Sequence, residues 1–287
     1  NSMKLSIIIT SWNTKKLLQS CLRSLQAHIP DVPFEIIVVD NASHDASAEM
    51  VEKEFPQVTL IKNSINSGYA GGNNIGFTIS SGEYILLLGS DTEILPHTIE
   101  TMIEILETRK DVGIVSCKLQ LPNGSIQPSC QRFPTVGNAV AMYLSLHILN
   151  KNYHMHDFDF STEQEVDQSD ATCILIRRKA LDNTILDERF SILYNDVDLC
   201  QRIKRKNWKI VYTPTTAVIH HGSQSTRQAP PHLRLIMYQN ILLYYQTYFG
   251  LYARFILAPI LVIRFLITTR NLIGLTLFFP TNDTKLS

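Results

Sequence analysis

Runs of consecutive apolar residues alternate with amphipathic segments from the start of this 287-residue chain. The apolar runs occupy residues 5–10, 34–40, 58–62 and 84–88, and each ends at polar or turn-forming residues. Short apolar runs without internal alternation indicate strands that are buried on both faces. Amphipathic segments between such strands are typical of crossover helices. The pattern therefore predicts an α/β fold with a mixed, mainly parallel sheet and helices on both faces.

The same pattern continues through the second half of the chain, where we expect strands at residues 113–119, 173–176, 209–212 and 217–220, and a helix at 197–206. The polar segment at residues 151–170 is interpreted as a loop or an insertion. Beyond residue 228 the sequence becomes largely apolar and rich in tyrosine. We therefore expect one domain over residues 1–228 and a C-terminal helical segment over residues 229–287.

The C-terminal segment has the composition of an interfacial helix. Residues 233–249 form an apolar, tyrosine-rich helix, and residues 255–279 are strongly apolar but carry Arg264 and Arg270. The longest uncharged run there, residues 255–263, is too short to span a bilayer, which takes about 20 residues. Arginines spaced among large apolar residues suit a headgroup boundary. We expect a membrane surface as the partner of this segment; packing on the core or on a second subunit, in a homo-oligomer, is the alternative.

The charge balance of the chain limits the partners that it can bind. Lys and Arg total 26, and so do Asp and Glu, which leaves a net charge of zero. A neutral chain lacks the positive field of a general nucleic-acid binder, and no basic stripe with interleaved aromatic residues is present. We therefore expect no nucleic-acid partner, and any anionic ligand must be held by local groups.

The five cysteines lie far apart in the sequence, and no two form a CxxC pair. Zinc sites and disulfide frameworks usually show closely spaced cysteines, so neither is indicated. Scattered thiols suit a reducing compartment. We expect a cytoplasmic protein that is peripheral on the inner face of the cell membrane.

Four polar clusters follow the predicted strands: Thr10-Ser11-Trp12-Asn13, Asp40-Asn41-Ala42-Ser43, Ser90-Asp91-Thr92 and His220-His221. In open α/β sheets, ligands bind beyond the carboxyl ends of the strands, so the joint placement of the clusters indicates a site. Helix capping is the alternative role for Asp40 and Ser43. The chain has no Walker A sequence, and the glycines at residues 68–72 have the wrong spacing for a dinucleotide fingerprint. Hydride transfer and P-loop phosphoryl transfer are therefore not expected.

Six motifs in order, ITSWN, VVDNAS, NSGYAGGNNIG, LLLGSDTEILP, ERFSILYNDVDLCQRI and IHHGSQS, resemble family 2 glycosyltransferases with the GT-A fold. The likeness is to the bacterial rhamnosyltransferase-like branch and covers residues 4–225. It implies an inverting transfer of a sugar from a nucleotide diphosphate, dTDP-rhamnose-like or UDP-hexose. The implied acceptor is lipid-linked or a cell-surface polysaccharide.

The resemblance also implies roles for individual residues. The residues around the donor would be Thr10, Ser11, Trp12, Asn13, Asp40, Asn41, Asn66, Gly68, Asn73, Asn74, Ser90 and Asp91. Within this set, Asp40 would accept a hydrogen bond from a pyrimidine N–H. Asp91 and His220 would hold a divalent metal, Mg²⁺ or Mn²⁺, with His221 as the alternative ligand. Asp196 would be the general base, and Asp198 is the other carboxylate nearby.

Two positions depart from the family pattern. The chain has Gly89-Ser90-Asp91-Thr92 where the family has Asn-Pro-Asp-Thr or Asp-x-Asp, and Asn195 where it has Glu. These changes keep open a catalytically degenerate, sugar-nucleotide-binding protein. A sugar-nucleotide pyrophosphorylase is a second alternative, although the turn after the first strand lacks the glycine-rich, basic loop that binds a triphosphate. Arg177 and Arg178 could contact a diphosphate or an acceptor phosphate, or be solvated.

Overall fold

The computed structural model describes residues 3–28, 30–144, 158–222 and 233–278. Its strands are β1 (Leu5–Ser11), β2 (Phe34–Asp40), β3 (Thr59–Lys62), β4 (Tyr84–Leu88), β5 (Thr92–Ile94), β6 (Val112–Gln120), β7 (Ile126–Gln127), β8 (Cys130–Gln131), β9 (Gln164–Glu165), β10 (Gln168–Ser169), β11 (Cys173–Arg177) and β12 (Lys209–His220). Its α-helices are α1 (Lys15–Ala27), α2 (Ser47–Glu54), α3 (Gly68–Ile79), α4 (Thr98–Thr108), α5 (Val136–Tyr143), α6 (Asn195–Arg205), α7 (Leu233–Phe249) and α8 (Leu251–Phe278).

The main sheet has the strand order β3-β2-β1-β4-β11-β6-β12-β5. Strands β1 to β4 pair in parallel, and β12 pairs in parallel with β6. Strand β11 is antiparallel to both of its neighbours, and β5 is antiparallel to β12. The sheet is therefore mixed and mainly parallel, as the apolar runs predict.

Alternate residues of the central strands pack on opposite faces of the sheet. In β1, Ile7 and Ile9 join the core under α1, α2 and α4, whereas Ile8 joins the core under α3 and α6. Both sets of side chains are fully buried. Because each face needs an apolar cover, the strands read as continuous apolar runs.

The C-terminal helices α7 and α8 pack on the domain through a third apolar cluster. Its buried members include Phe190 and Val197 from the segment around the start of α6, and Tyr244, Tyr245 and Leu257 from the two helices. The predicted boundary at residue 228 lies outside the described residues, so the domain division stays a prediction. Across the described residues no helix combines the length and apolar character that crossing a bilayer requires.

Some elements differ from the sequence prediction. The two strands expected at residues 209–212 and 217–220 are one strand, β12, whose register shifts between Thr213 and Ala217. Pro214 occupies the irregular part, where its missing N–H costs no ladder hydrogen bond. Of the segment 151–170, residues 151–157 lie outside the described residues, and the remainder contains the short strands β9 and β10.

Candidate active site

The carboxyl edge of the parallel strands collects the four polar clusters. Strands β1, β2, β4 and β12 all run toward this edge, which places Thr10, Asp40, Asp91 and His220 on one side of the molecule. Helix α6 precedes β12 and runs the opposite way, so Asp196 in its first turn lies at the same edge. The topology therefore gathers residues that are far apart in sequence.

Several buried oxygen atoms at this edge lack a partner within the described residues, and two of them lie at the ends of the neighbouring strands β1 and β2. One carboxylate oxygen of Asp40, Oδ2, accepts a hydrogen bond from the backbone N–H of Ser43 at 3.1 Å. The other, Oδ1, has no hydrogen-bond partner, and neither has the hydroxyl of Thr10. Buried polar atoms are nearly always paired, so these two mark a place where a ligand completes the hydrogen bonding. The helix-capping role considered for Asp40 and Ser43 is not observed, because α2 has Ala46 at its N-cap and no side-chain cap bond. Asp40 stabilises the turn before α2 instead, and it uses one oxygen only.

The side chain of Asn41 holds the loop before α3 against the strand ends. Its amide nitrogen donates to the carbonyl of Gly68 at 2.9 Å, and its oxygen accepts from Ser67 at 2.9 Å and from Asn63 at 2.7 Å. Asn66 accepts a hydrogen bond from the backbone N–H of Gly68 at 2.8 Å. Gly68 has φ of +72°, a conformation that a side chain disfavours. These residues shape the loop of the expected donor site.

Helix α3 approaches the strand ends so closely that a glycine is required at residue 72. A Cβ atom there would lie 2.4 Å from Cγ2 of Thr10 and 3.1 Å from Nδ2 of Asn41. The glycine-rich stretch is thus the first turn of α3 itself. Asn73 donates to the carbonyl of Tyr69 at 2.8 Å within the helix.

Asn74 acts on the segment before α6. Its amide nitrogen donates to the carbonyl of Leu186 and to Glu188, at 2.8 and 2.9 Å. Its oxygen accepts from the backbone N–H groups of Ile185 and Leu186, at 3.1 and 3.0 Å. The amide is therefore fully engaged within the protein, and direct donor contact by Asn74 stays a prediction.

Hydroxyl groups link the first strand to the loop that carries Asp91. The hydroxyl oxygen of Ser11 lies 2.9 Å from that of Thr14, and the Thr14 oxygen lies 3.0 Å from the hydroxyl oxygen of Ser90. Asn13 connects the loop after β1 to the loop after β2. Its backbone N–H donates to the hydroxyl of Ser43, and its side-chain oxygen accepts from the backbone N–H of His44.

Trp12 lies in the same turn as Asn13 and is half-buried. The donor-binding residues expected from sequence thus lie in neighbouring loops at one edge of the sheet.

Asp91 and His220 face each other across this edge. Atom Oδ1 of Asp91 lies 3.5 Å from Nε2 of His220, and both side chains are largely buried. Atom Nδ1 of His220 lies 2.8 Å from the amide oxygen of Gln127. Burial alone lowers the pKa of an imidazole, but the hydrogen bond and charge of Asp91, with the charge of Asp170, raise the pKa of His220. His221 turns away and bonds Glu93 at 2.7 Å instead.

The pair fits a divalent cation. The amide oxygen of Gln127 can only accept, so Nδ1 of His220 carries a proton, and Nε2 of the neutral ring is an acceptor facing a carboxylate. Two such acceptors repel unless a positive charge, a proton or a cation, lies between them. A carboxylate oxygen and an imidazole nitrogen are common metal ligands. Among the described residues, no third His, Cys, Asp or Glu joins them, so donor oxygens and water must supply the other ligands.

Asp196 has the properties of a general base. As a whole residue Asp196 is partly exposed, and its Oδ1 accepts from the N–H of Val197 at 2.8 Å. Burial, together with the negative charge of Asp170, raises the pKa of Asp196 to about 6. A carboxylate with such a pKa is ionised near neutrality and is more basic than an ordinary aspartate.

Asp198 is buried and occupied. The hydroxyl of Tyr248 donates to its Oδ1 at 2.6 Å, and Arg202 donates to its Oδ2 at 2.8 Å. Asp198 therefore joins α6 to α7 and has no acidic oxygen directed at a substrate. Asp198 thus has a structural role, and it also lies in the first turn of α6, where a negative charge is favourable.

The structure does not support the phosphate contact that the sequence left open for Arg177 and Arg178. Strand β11 runs antiparallel to β4, which carries both arginines to the opposite edge of the sheet. Arg177 is buried and donates to the carbonyls of Leu106 and Val112, whereas Arg178 donates to the carbonyl of Gly82. Because Arg177 is buried and bonded to backbone carbonyls, it neither contacts a phosphate at the site nor is solvated.

Sequence reasoning missed two residues of the site, Asp170 and Gln127. Asp170 precedes β11, whose start lies at the active edge because the strand is antiparallel. Gln127 ends the short strand β7, which pairs with β6. Ligand sites are expected at polar residues that follow parallel strands, and neither residue follows one. Asp170 does stand directly before an apolar run, and a polar residue in that position indicates a site when the strand is antiparallel.

Curated relatives of the chain are sugar transferases and glycan-biosynthesis proteins. The N-acetylglucosaminyl-diphospho-decaprenol L-rhamnosyltransferase of Mycobacterium tuberculosis is 24% identical over 79% of this chain and 78% of the relative. The low-salt glycan biosynthesis hexosyltransferase Agl10 of Haloferax volcanii is 26% identical over 76% of this chain and 67% of the relative. The O-antigen biosynthesis protein RfbC of Myxococcus xanthus is 27% identical over 78% of this chain, which spans 18% of that protein.

Solved structures share the fold at lower identity. TarS 1–349 of S. aureus has a TM-score of 0.54 at 20% identity, over 83% of this chain and 65% of that chain, and it is also known in complex with UDP-GlcNAc. The mannosyltransferase PcManGT of Pyrobaculum calidifontis, solved with GDP-Man and Mn²⁺, has a TM-score of 0.56 at 15% identity, over 94% of this chain and 76% of that chain. At these identities the likeness concerns the fold alone.

The family is established by the sequence itself. Residues 6–184, more than half of the chain, match the family described as Glycosyl transferase family 2. This match supports a transferase and gives the pyrophosphorylase alternative no support. The chain belongs to glycosyltransferase family 2 and has the GT-A fold of those enzymes.

Proposed function

We propose that the protein transfers a sugar, with inversion, from a pyrimidine nucleoside-diphosphate donor to a lipid-linked or cell-surface polysaccharide acceptor. The donor is a dTDP-deoxysugar or a UDP-hexose. The observation that carries the proposal is the convergence on one sheet edge of three features. These are the unpartnered oxygen of Asp40, the facing pair Asp91 and His220, and the partly exposed base Asp196.

The unpartnered oxygens give the donor its orientation. Atom Oδ1 of Asp40 accepts a hydrogen bond from the ring N–H of the pyrimidine, and the hydroxyl of Thr10 adds a contact beside it. A site built to bond a ligand N–H rejects analogues that lack it, because the buried acceptor is then left unpaired. The loop around Gly68, held by Asn41, lines the remainder of the donor.

Asp91 and His220 would hold a divalent cation, Mg²⁺ or Mn²⁺, at the donor site. Such a cation neutralises the charge that develops on the leaving diphosphate. The part of the protein is to fix the two ligands: Gln127 sets the orientation of the His220 ring, and the backbone N–H of His221 donates to the carbonyl of Asp91 at 2.9 Å.

Asp196 accepts the proton of the attacking acceptor hydroxyl. The residue keeps some solvent exposure, as one that meets a second substrate must. Attack from the face opposite the leaving diphosphate inverts the anomeric centre in one step. No covalent sugar–enzyme intermediate is then needed, and no second nucleophile is proposed.

The relative from Mycobacterium tuberculosis bears the name of an enzyme whose acceptor is a decaprenol-linked sugar. This supports a lipid-linked acceptor for the present chain, and with it a location on the cytoplasmic face of the cell membrane. The partners are then a nucleotide sugar and an acceptor that is presented at a lipid surface.

The test is a transfer assay with product analysis. The full chain is first screened by thermal shift against UDP-, dTDP- and GDP-sugars with Mn²⁺, and the stabilising donors are then incubated with a polyprenyl-diphosphate-linked sugar. We expect a pyrimidine donor to stabilise the protein and the new bond, read by NMR, to have the inverted anomeric configuration.

Three results would contradict the proposal. Retention of configuration excludes the one-step mechanism. Stabilisation by GDP-sugars alone excludes pyrimidine recognition by Asp40. Tight donor binding without turnover on any acceptor favours the degenerate, sugar-nucleotide-binding protein.

A further inference from the structure

The outer face of α8 is an exposed apolar stripe. Its members recur at intervals of three and four residues, so they share one side of the helix. They are Tyr252, Phe255, Ile256, Val262, Ile263 and Leu266. Each of these side chains is between 43% and 75% exposed, whereas Ala253, Leu257 and Leu261 on the opposite side are at most 2% exposed. The stripe extends for about 21 Å at 1.5 Å per residue.

An exposed apolar stripe of this length on a protein surface indicates a contact site for another protein or for a membrane. Helix α8 is already packed on its inner face against α5 and α7, through Ala253 and Leu257. The outer side chains are therefore not needed for the core of this chain. They include Tyr252 and Phe255, aromatic residues of the kind that favour the boundary between lipid and water.

The charge distribution decides between the partners that an apolar stripe could have. The neutral chain is strongly polarised: residues 1–198 contain 25 acidic and 15 basic residues, whereas residues 199–282 contain ten basic residues and no acidic one. Four of the ten, Arg202, Lys204, Lys206 and Lys209, pair with acidic side chains of the domain. The remaining basic residues include the four arginines of residues 233–278, the two helices themselves.

Arginines without acidic residues beside an apolar stripe complement an anionic lipid surface. A second copy of the chain fits less well, because two such faces would bring like charges together. The described arginine side chains also lie clear of the stripe. Arg254 donates to the amide oxygen of Gln246, and Arg264 donates to the carbonyl of Tyr143. The stripe itself is thus purely apolar, and the described arginines of α8 lie outside it.

The stripe also lies on the correct side of the molecule for a lipid-linked acceptor. Helices α7 and α8 share an apolar cluster with Phe190 and Val197, which flank the loop that leads to Asp196. A bilayer on the outer face of α8 is therefore close to the side of the cleft that holds the proposed base.

We infer that the outer face of α8, from Tyr252 to Leu266, is the surface by which this protein docks on a membrane that contains anionic lipids. The helix lies in the plane of the interface, with its apolar stripe among the acyl chains. This inference rests on the proposed function for its biological sense, because it names the surface at which the lipid-linked acceptor is met.

The test is co-sedimentation of the full chain with vesicles, in the absence of donor and acceptor. The vesicles are phosphatidylcholine alone and phosphatidylcholine with phosphatidylglycerol. The double variant F255E/I263E places two charges in the stripe, and its matched control is I79E, which changes an exposed isoleucine on α3. We expect binding to the anionic vesicles, a loss of about tenfold or more in the double variant, and no change in the control. Binding should weaken as salt concentration rises.

The inference is overturned if the wild-type chain ignores both kinds of vesicle, or if F255E/I263E binds as well as the wild type. It is also overturned if light scattering shows a dimer that the double variant dissociates, because the stripe is then an interface between copies. Both substituted side chains are exposed, so the variant is expected to keep its circular dichroism and its donor binding. Turnover on a detergent-solubilised acceptor without vesicle binding would count against the docking surface alone. Vesicle binding without turnover would count against the proposed function alone.

Discussion

The backbone N–H of Leu193 donates a hydrogen bond to the side-chain oxygen of Asn240 at 3.1 Å, which ties the loop before Asp196 to helix α7. The same oxygen accepts from the N–H of Ile192 at 3.0 Å, and the amide nitrogen donates to the carbonyl of Arg189 at 3.0 Å. The Asn240 side chain is buried. The C-terminal helices are therefore part of the support of the proposed base.

Replacement of Asn240 should lower turnover more than donor affinity. Asn240→Ala leaves three backbone groups of the loop unpaired, which costs about 1–3 kcal/mol for each buried group that water cannot reach. We expect a lower melting temperature and a lower kcat, with the KM for the donor nearly unchanged. Asn240→Asp keeps the acceptor for Ile192 and Leu193 and should recover part of kcat.

Gln246→Ala, on the same helix but away from the loop, is the control for Asn240. It removes the acceptor of Arg254 and should leave kcat unchanged. A lower melting temperature with an unaltered kcat in Asn240→Ala would show that the residue supports the fold but does not position the base.

Asp196 and Asp198 should respond differently to the same substitution. Asp196→Asn keeps the size of the side chain but cannot accept a proton, so turnover should fall by about 10²–10⁴-fold while donor affinity is kept. Asp198→Asn weakens the hydrogen bonds with Tyr248 and Arg202 and should mainly lower stability. Steady-state kinetics and thermal unfolding of the two variants make the comparison.

The stability of Asp196→Asn has a predictable sign. The pKa of Asp196 in the folded protein, about 6, lies above the usual 3.8. The protonated Asp196 therefore stabilises the fold below the pKa of the unfolded chain, and this contribution is lost as pH rises through 6. At pH 8 the ionised carboxylate destabilises the fold, so the Asn variant should melt at a higher temperature than the wild type. A large fall in melting temperature there would mean that lost turnover reflects unfolding.

The activity should decrease in acid with an apparent pKa near 6. Below the pKa of Asp196, about 6, the carboxylate is protonated and cannot act as the base. The pKa of Asp196 is raised first by burial and second by the charge of Asp170. The charge of Asp196 in turn raises the pKa values of Tyr69 and Cys200. Asp170→Asn removes the like charge and should move the acidic limb of kcat/KM to lower pH. A limb that stays in place would exclude Asp170 as a cause.

The parallel half of the sheet follows directly from the sequence. Strands β1, β2, β3 and β4 coincide with the predicted apolar runs to within one residue at each end, because strands buried on both faces leave that pattern. Helix α4 was missed although its buried residues Ile99, Met102, Ile103 and Leu106 have helical spacing. That element was predictable from the same rule.

The antiparallel strand β11 and the supports of the site were not predictable in this way. A single apolar run does not show its direction, so the placement of Arg177 and Asp170 reversed with β11. Gln127 and Asn240 act on residues 93 and 47 positions away. Such contacts depend on tertiary packing and leave no local signal.

Gly72→Ala should damage the donor site through a single methyl group. The added carbon would lie 2.4 Å from Cγ2 of Thr10 and 3.1 Å from Nδ2 of Asn41. Helix α3 must therefore move away from the strand ends, which disturbs the surroundings of Asp40. We expect weaker donor binding by calorimetry and a lower melting temperature. Gly124→Ala is the control for a substituted glycine far from the site. Because Gly124 has φ of +83°, the substitution should lower stability without changing donor affinity.

Equal losses of stability in the two glycine variants, with unchanged donor affinity in Gly72→Ala, would contradict a role for the close approach of α3. Because nothing lies within 4 Å of a Cβ at Gly124, that variant separates backbone strain from steric overlap. Donor affinity is thus the measurement that distinguishes the two positions.

The cation site should depend on Asp91, His220 and, less strongly, on Gln127. Asp91→Ala removes the carboxylate and should abolish Mn²⁺-dependent nucleotide binding and turnover. Gln127→Leu keeps the shape of the side chain but no longer accepts from Nδ1, so the ring of His220 loses the partner that fixes its tautomer. Outer-sphere partners of this kind typically change metal affinity by about 10–100-fold.

The measurement for Gln127 is made without turnover. Mn²⁺ affinity in the presence of the nucleoside diphosphate is followed by electron paramagnetic resonance, and the tautomer of His220 by ¹⁵N NMR of the metal-free protein. We expect Nδ1 of the wild-type ring to be protonated and Gln127→Leu to weaken Mn²⁺ binding. His221→Gln is the control, because the ring of His221 bonds Glu93. Unchanged Mn²⁺ affinity in both Asp91→Ala and Gln127→Leu, or full activity in excess chelator, would show that the pair does not hold a cation.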